Sequence, residues 1–431
     1  MSLSLAGALG LSTRLPRSRA TSSHRASSSS LFLFYLSASS CFSSSVAARH
    51  AGFHSQSCSV LRDTCPAVPG IRYFHSSPQI RRTAPHFTYH VAASYSAKGH
   101  LFNSENNVFT AGLPESVDSE ATDLQECKKS FDKRKRPKSG QDAFFYSQVG
   151  NTETTTFGVA DGVGGWVESG IDPADFSHGL CEYMTCAARL WPQGASSKTL
   201  HPKDLMQIGY DEVIRDRSIV GGGSTACLAV AEPEGVVEVA NLGDSGFIHL
   251  GLNAVRHFTH PQTHAFNTPF QLSKTPERML VQMAIFGGPT TLSDLPKESN
   301  VTHHQVRHGD VLVFATDGVW DNLTPQDVLG VVSRNMVDIG AWIEKDGGVE
   351  VGPLLAELAQ ATTGKKANNS SLQARLAVAI AKEAKDTSHD SRRDGPFAKE
   401  VQRAYPGENW RGGKPDDIAA VVAVVVESAS S

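Results

Sequence analysis

Cysteine is sparse in the 431-residue chain: seven in all, an odd number, with no Cys-x-x-Cys pair. That excludes a zinc ribbon, a thioredoxin-type motif and a disulfide framework as sequence-level readings, and reduced thiols are expected. Long apolar runs are missing as well. LFLFYL at 31–36 falls far short of the roughly 20 residues that cross a bilayer, so no membrane span is expected. The Walker spacing GxxxxGK[ST] is absent, and GGGST at 221–225 reads as turn chemistry before a strand. Acids are nearly absent from one region, since residues 1–104 hold ten basic side chains against Asp63 alone.

That acid-poor region is rich in Ser and Arg, including SSHRASSSS at 22–30, which are the features of a mitochondrial transit peptide. RYFHSS at 72–77 resembles the Arg-x-Phe-x-x-Ser pattern near processing sites. Residues 1–90 are therefore expected to be a transit and disordered segment, 91–124 a linker and 125–427 the folded domain, with the mitochondrial matrix as the address. Removing the nine Arg and one Asp of residues 1–90 takes the formal net charge from −4 to −12, which argues against nucleic-acid binding by the body. KKSFDKRKRPK at 128–138 carries seven basic residues and one acid; a solvated linker, a nuclear signal and a phosphate contact all remain open for it.

Behind this segment the patterns alternate between sheet and helix. DAFFYS (142–147), TTTFGVAD (154–161), TACLAVAE (225–232), VVEVANL (236–242), GFIHLG (246–251), AVRHF (254–258) and DVLVFATD (310–317) predict strands. Residues 175–191 and 203–215 predict helices, as do two stretches within 353–385 split by TTGKKANNSS. Thr324 as N-cap, Pro325 and Asp327 predict another. IAAVVAVVV (418–426) is apolar on both faces and predicts a central strand. Hairpin-like strands with grouped helices indicate an α+β layered domain.

Carboxylates recur at the ends of these strands. VADGVGGW places Asp161, ANLGDSGF Asp244, FATDGVWDNL Asp317, and KPDDIAAVV Asp416 and Asp417. Buried acids repel one another and each loses its water, so such a set requires a cation or shared protons. Oxygen ligands without Cys or His favour Mg²⁺ or Mn²⁺ over Zn²⁺.

Six motifs, GQDAFF, VADGVGGW, GGGSTA, ANLGDSGF, FATDGVWDNL and PDDIAAVV, resemble in order and spacing the metal-dependent serine/threonine protein phosphatases of type 2C. VGGW and FTHPQTHAFNTPFQL (258–272) resemble the mitochondrial branch of that family. The resemblance implies a four-layer α/β/β/α sandwich, with two antiparallel sheets flanked by helices and a two-metal site at one end. It implies that Asp161 bridges two Mn²⁺ or Mg²⁺ ions, that the Gly162 carbonyl ligates one, and that Asp317 and Asp416 hold the other. Asp142 and Asp244 would serve a third, weaker site, and a bridging hydroxide would attack phosphorus, with Asp161 and Asp317 the catalytic residues. The implied substrates are phosphorylated mitochondrial proteins, including those of ubiquinone biosynthesis.

Two positions depart from the family pattern. Gln141 stands where Glu is common and adds no negative charge, and Val163 stands where a His commonly serves as acid. A noncatalytic, phosphoprotein-binding relative of the phosphatases is therefore the alternative. Arg136 and Lys138 are both candidates for the substrate phosphate, Arg as a fork and Lys as a point charge. His257, His260 and His264 are expected in a loop rather than on zinc, because Pro261 breaks the helix that would align the last two. Trp166 and Trp320 are expected to pack against the sheet end, and Cys181 and Cys186 to fill the core.

Overall fold

The computed structural model describes residues 85–428, apart from 111–122, 130–132, 193–197, 287–291 and 361–370. The sequence features at 22–36 and 72–77, and nearly all of the polar loop at 362–371, lie outside the described residues.

Two sheets form the centre. Their strands are β1 (His86–Ser96), β2 (Val108–Thr110), β3 (Asp142–Gln148), β4 (Thr155–Asp161), β5 (Ala226–Ala231), β6 (Val236–Leu242), β7 (Gly246–Gly251), β8 (Ala254–Phe258), β9 (Asn300–Gln305), β10 (Val311–Ala315) and β11 (Ile418–Ser428). The six-stranded sheet runs β2-β1-β11-β10-β7-β8 and the five-stranded sheet β9-β6-β5-β4-β3. Every neighbouring pair in both is antiparallel.

Side-chain alternation explains the layering. In β11, Ala419, Val421, Ala423 and Val425 enter the core between the sheets, whereas Ile418, Ala420, Val422, Val424 and Val426 enter a second core on the opposite face. β10 divides the same way, with Leu312 and Phe314 inward and Val311, Val313 and Ala315 outward. Strands buried on both faces carry no polar side, which is why these two read as continuous apolar runs. The outward faces are covered by helices. α5 (Pro325–Asp338) and α6 (Leu372–His389) set Val328, Val332, Leu376 and Ile380 against the six-stranded sheet. α2 (Pro173–Arg189) and α3 (Pro202–Arg215) set Phe176, Leu180, Leu205 and Met206 against β5 of the other. The architecture is the α/β/β/α sandwich expected from the sequence. Each fully buried Val, Leu or Phe contributes roughly 2 kcal/mol, so the strand ends are fixed by packing well away from them.

The cap of α5 also forms as expected: Asp327 N–H donates to Thr324 Oγ1 at 3.2 Å, Thr324 N–H donates to the Asp327 carboxylate at 2.9 Å, and Pro325 occupies the first turn.

Two expectations need correction. β1 lies in residues assigned to the leader and linker, yet it pairs with β11 along its whole length, from His86 opposite Ser428 to Ser96 opposite Ile418. Phe87, Tyr89, Val91 and Ala93 enter the inter-sheet core, so the alternation that matters starts before residue 90 and was masked by a composition still poor in charge. The folded unit thus begins well before residue 125. The thiols are also not all reduced. Cys127 on the short helix α1 (Leu124–Lys129) is bonded to Cys186 of α2 across 59 residues, a separation that no local spacing reveals, and Cys181 and Cys227 are free and buried.

A chain beginning at residue 85 is expected to unfold in one cooperative urea transition followed by circular dichroism. A chain beginning at residue 97 leaves one side of β11 unpaired and is expected to lose that transition; its retention would mean that β1 is dispensable.

Candidate active site

The antiparallel register of β3 and β4 sets Asp142 directly opposite Asp161, so the first residue of one strand and the last of the next share an end of the sheet. Asp244 sits in the β6–β7 turn, Asp317 opens the four-residue helix α4 (Asp317–Trp320) after β10, and Asp416 lies two residues before β11. Glycine follows Asp161 and Asp317 for a steric reason. A Cβ on Gly318 would lie 1.9 Å from the Asp417 carbonyl oxygen, and one on Gly162 would lie 2.8 Å from that of Gln141, to which Gly162 N–H donates at 3.1 Å.

Short polar contacts tie these ends together. Thr316 Oγ1 donates to Asp142 Oδ2 at 2.7 Å and accepts from Ala419 N–H at 3.0 Å, which links the two sheets. The Asp417 carboxylate accepts from Lys98 N–H at 2.6 Å and from Gln141 N–H at 2.7 Å. It therefore fastens the chain after β1 and the start of β3 to the base of β11.

The electrostatics follow from crowding. Burial raises the Asp161 carboxyl well above the usual range, and Asp317, Asp142, Asp244 and Asp416 raise it further. Asp142 is raised by burial and by Asp417, and Asp244 by burial and Asp317, to about 7. Asp416 and Asp321 are raised by burial and then by Asp317. Asp317 goes the other way. Burial pushes it up, but Lys414 and hydrogen-bonding contacts with Asp161 and Asp321 outweigh that and hold it ionised. A raised Asp161 beside a lowered Asp317 is the pattern of neighbouring acids that resist ionising together.

One ammonium group sits in the cluster. Lys414 Nζ lies 2.6 Å from Asp321 Oδ2, 2.8 Å from Asp317 Oδ2 and 3.2 Å from Asp416 Oδ2. Lys98 Nζ is 3.5 Å from Asp416 Oδ1. Burial disfavours the charge on Lys414, yet Asp317, Asp321 and Asp416 together raise its pKa, so it is a permanent cation.

The donor set suits hard divalent ions: it is made of oxygens, it carries more acids than the two lysines neutralise, and Asp244 Oδ1 is buried without a hydrogen-bond partner. As they stand, no group of three or more His, Cys, Asp or Glu side chains among the described residues is arranged to hold a metal ion, and Asp317, Asp321 and Asp416 close on Lys414. Residues whose oxygens could ligate are Asp161, the Gly162 carbonyl, Asp317 and Asp416, with Asp142, Asp244 and Gln141 as further candidates. The Gln141 side-chain oxygen turns toward Gly164, 3.4 Å from where a Cβ there would lie.

Arg136 and Lys138 separate. The Arg136 guanidinium donates to Asp175 of α2 at 2.9 Å and has Glu182 at 3.8 Å, whereas Lys138 is exposed. Trp166 and Trp320 are buried, donating to Gln271 Oε1 at 3.0 Å and to the Ala315 carbonyl at 2.8 Å, so both pack as expected. His257 lies on β8 and His264 on the short strand Thr263–Ala265, and of the three only His260 is in a loop; the His257 ring is 4.6 Å from that of His304, His264 bonds Asp294 at 3.0 Å, and His260 sits by Phe258. Sequence reasoning missed Asp321 and Lys414. Asp321 follows Asp317 by one helical turn, which was a usable signal once the helix was known; Lys414 had none beyond its place in KPDD.

Known proteins resemble the chain over most of this domain. The protein phosphatase PTC7 homolog of Xenopus laevis is 33% identical over 289 residues, covering 67% of this chain and 82% of that protein. Protein phosphatase 2C homolog 7, mitochondrial, of Saccharomyces cerevisiae is 31% identical over 288 residues, covering 67% and 74%. The photosystem II phosphatase PBCP is a solved structure with 24% identity and a TM-score of 0.47, covering 66% of this chain and 91% of its own. No protein-family model matches.

Replacing Asp417 by Ala removes the acceptor of two backbone N–H groups and is expected to cost about 2 kcal/mol in urea denaturation. An unchanged midpoint would mean that water replaces the carboxylate without loss.

Proposed function

The chain belongs to the type 2C protein serine/threonine phosphatases, and from that premise we propose that it dephosphorylates phosphoserine and phosphothreonine of mitochondrial proteins at the carboxylate cluster, with two Mn²⁺ or Mg²⁺ ions as cofactor. The observation that carries this reading is the meeting of Asp161, Asp244, Asp317 and Asp416, from four separate chain segments, at one end of the sandwich with Asp244 Oδ1 unsatisfied. When bound, such ions supply positive charge that makes water a better nucleophile and stabilises the phosphoryl oxygens.

The protein's own part is to position and to neutralise. Asp161, the Gly162 carbonyl, Asp317 and Asp416 would hold the two ions, and Asp142, Gln141 and Asp244 a third, weaker one. Thr316 keeps Asp142 oriented, and Asp417 keeps the Gln141 backbone against the base of β11. With Arg136 engaged by α2, exposed Lys138 is the group free to meet a substrate phosphate as a point charge. Proteins of ubiquinone biosynthesis are the substrates that the family resemblance suggests. The acid-poor, Ser- and Arg-rich residues 1–84 and the mitochondrial yeast relative support a mitochondrial address.

Val163 and Gln141 favour one second reading, a protein that binds phosphorylated partners without turning them over. The two readings part in a phosphopeptide assay. Phosphate release with Mn²⁺ is expected, with a loss of about a thousandfold in kcat for Asp161→Asn and Asp317→Asn and abolition by chelator. Release that survives both substitutions would exclude this centre, and capture without release at every Mn²⁺ concentration would favour the binder. Imaging of a tagged full-length chain is expected to show mitochondria, and a chain lacking residues 1–84 a diffuse signal; nuclear signal from the full chain would overturn the address.

A further inference from the structure

We propose that Lys414 is a tethered cation that occupies the carboxylate centre in place of a divalent ion and must withdraw before the centre fills. The inference rests on the metal-centre reading above and adds a competitor built into the chain itself.

Geometry carries it. The Lys414 ammonium touches Asp317, Asp321 and Asp416 at 2.8, 2.6 and 3.2 Å, and the first and last of these are residues proposed to ligate metal. A side chain with three carboxylate partners and 14% exposure is enclosed by the site, not lying across its rim. An ammonium donates hydrogen bonds to the same oxygens that a metal would take as ligands, so the two cannot hold Asp317 and Asp416 at once in this arrangement.

The backbone beneath Lys414 is locked, which confines any movement to the side chain. Asn322, almost fully buried, accepts from Lys414 N–H at 2.9 Å and donates to the Lys414 carbonyl at 2.9 Å, and it also donates to the Gly318 carbonyl at 2.9 Å. The segment before β11 is thereby fastened to α4, which carries Asp317. The face of Phe397 lies 4.9 Å from Nζ and backs the ammonium from outside the acid cluster. Four methylenes give the group a flexible stem on which to leave while its Cα stays in place.

Two consequences follow. Without metal, Lys414 offsets repulsion that would otherwise act on clustered acids, so the apo centre keeps its shape. With metal, the ions must displace a bound cation, so the concentration needed for occupancy is raised.

The test compares wild type, Lys414→Met and Lys414→Arg, with Mn²⁺ as the probe. Binding is followed by the electron paramagnetic resonance of free Mn²⁺ and stability by thermal unfolding in chelator. Lys414→Met is expected to bind Mn²⁺ about tenfold more tightly, to melt lower in chelator and to regain stability with Mn²⁺, while Lys414→Arg keeps the weak binding and the chelator stability of wild type. A second measurement uses wild type alone, so it stands even when Lys414→Met does not fold: an amine-reactive reagent mapped by mass spectrometry is expected to label Lys414 poorly in chelator and readily at saturating Mn²⁺. Wild-type affinity in Lys414→Met, or labelling of Lys414 indifferent to Mn²⁺, overturns the inference and leaves the metal centre standing. Failure of wild type and Lys414→Met alike to bind Mn²⁺, or binding untouched by Asp317→Asn, removes the metal centre and the inference with it.

Discussion

Carboxylates placed side by side repel, and this fold places them side by side because its strands leave them nowhere else to go. The inter-sheet core around Phe157, Phe247 and Phe314 fixes where β4, β7 and β10 run, and the acids lie at or just beyond the ends of these strands or their neighbours. Packing distributed over many apolar side chains can carry a local electrostatic penalty that no single contact could. The remaining features of the site answer that penalty. Burial and acidic neighbours push the Asp161 carboxyl up, Lys414 holds Asp317 down, and the Asp417 carboxylate is turned to backbone N–H groups. A centre with excess negative charge and fixed walls is prepared to receive positive charge, whether from a side chain or from solution.

Much of this was legible in the residues. The double-sided apolar pattern of β11 announced a central strand, and Asp-Gly after a strand pointed to chemistry once it occurred twice in company with Asp244 and Asp416. What remained hidden depends on long-range pairing. β1 carries no charge pattern to distinguish it from the acid-poor stretch before it, and β11, the partner that pairs with its whole length, lies more than 300 residues later. Cys127 and Cys186 were unreadable as a pair for the same reason. Arg136 and Lys138 could not be ranked from spacing because what separates them is the acidic face of α2, a property of another element.

That face gives the basic stretch 128–138 a structural role of its own. Lys128 pairs with Asp216 at the end of α3, Lys133 and Arg136 with Asp175, and Arg136 lies near Glu182. Together with the Cys127–Cys186 bond these contacts hold the segment on α2, close to the start of β3 and hence to Gln141 and Asp142. The acids of α2 thus act at a distance on the candidate site, by fixing the approach of the chain to β3.

The partnership of β1 with β11 has a temporal side. An interior place in the six-stranded sheet is reserved for the last strand of the described residues, and the strand that borders it is the first of them. During translation β1 can meet β11 only after more than 300 further residues have been made, so this side of the sandwich closes late, and until then the growing polypeptide exposes an open sheet edge to whatever chaperones or aggregating neighbours it meets.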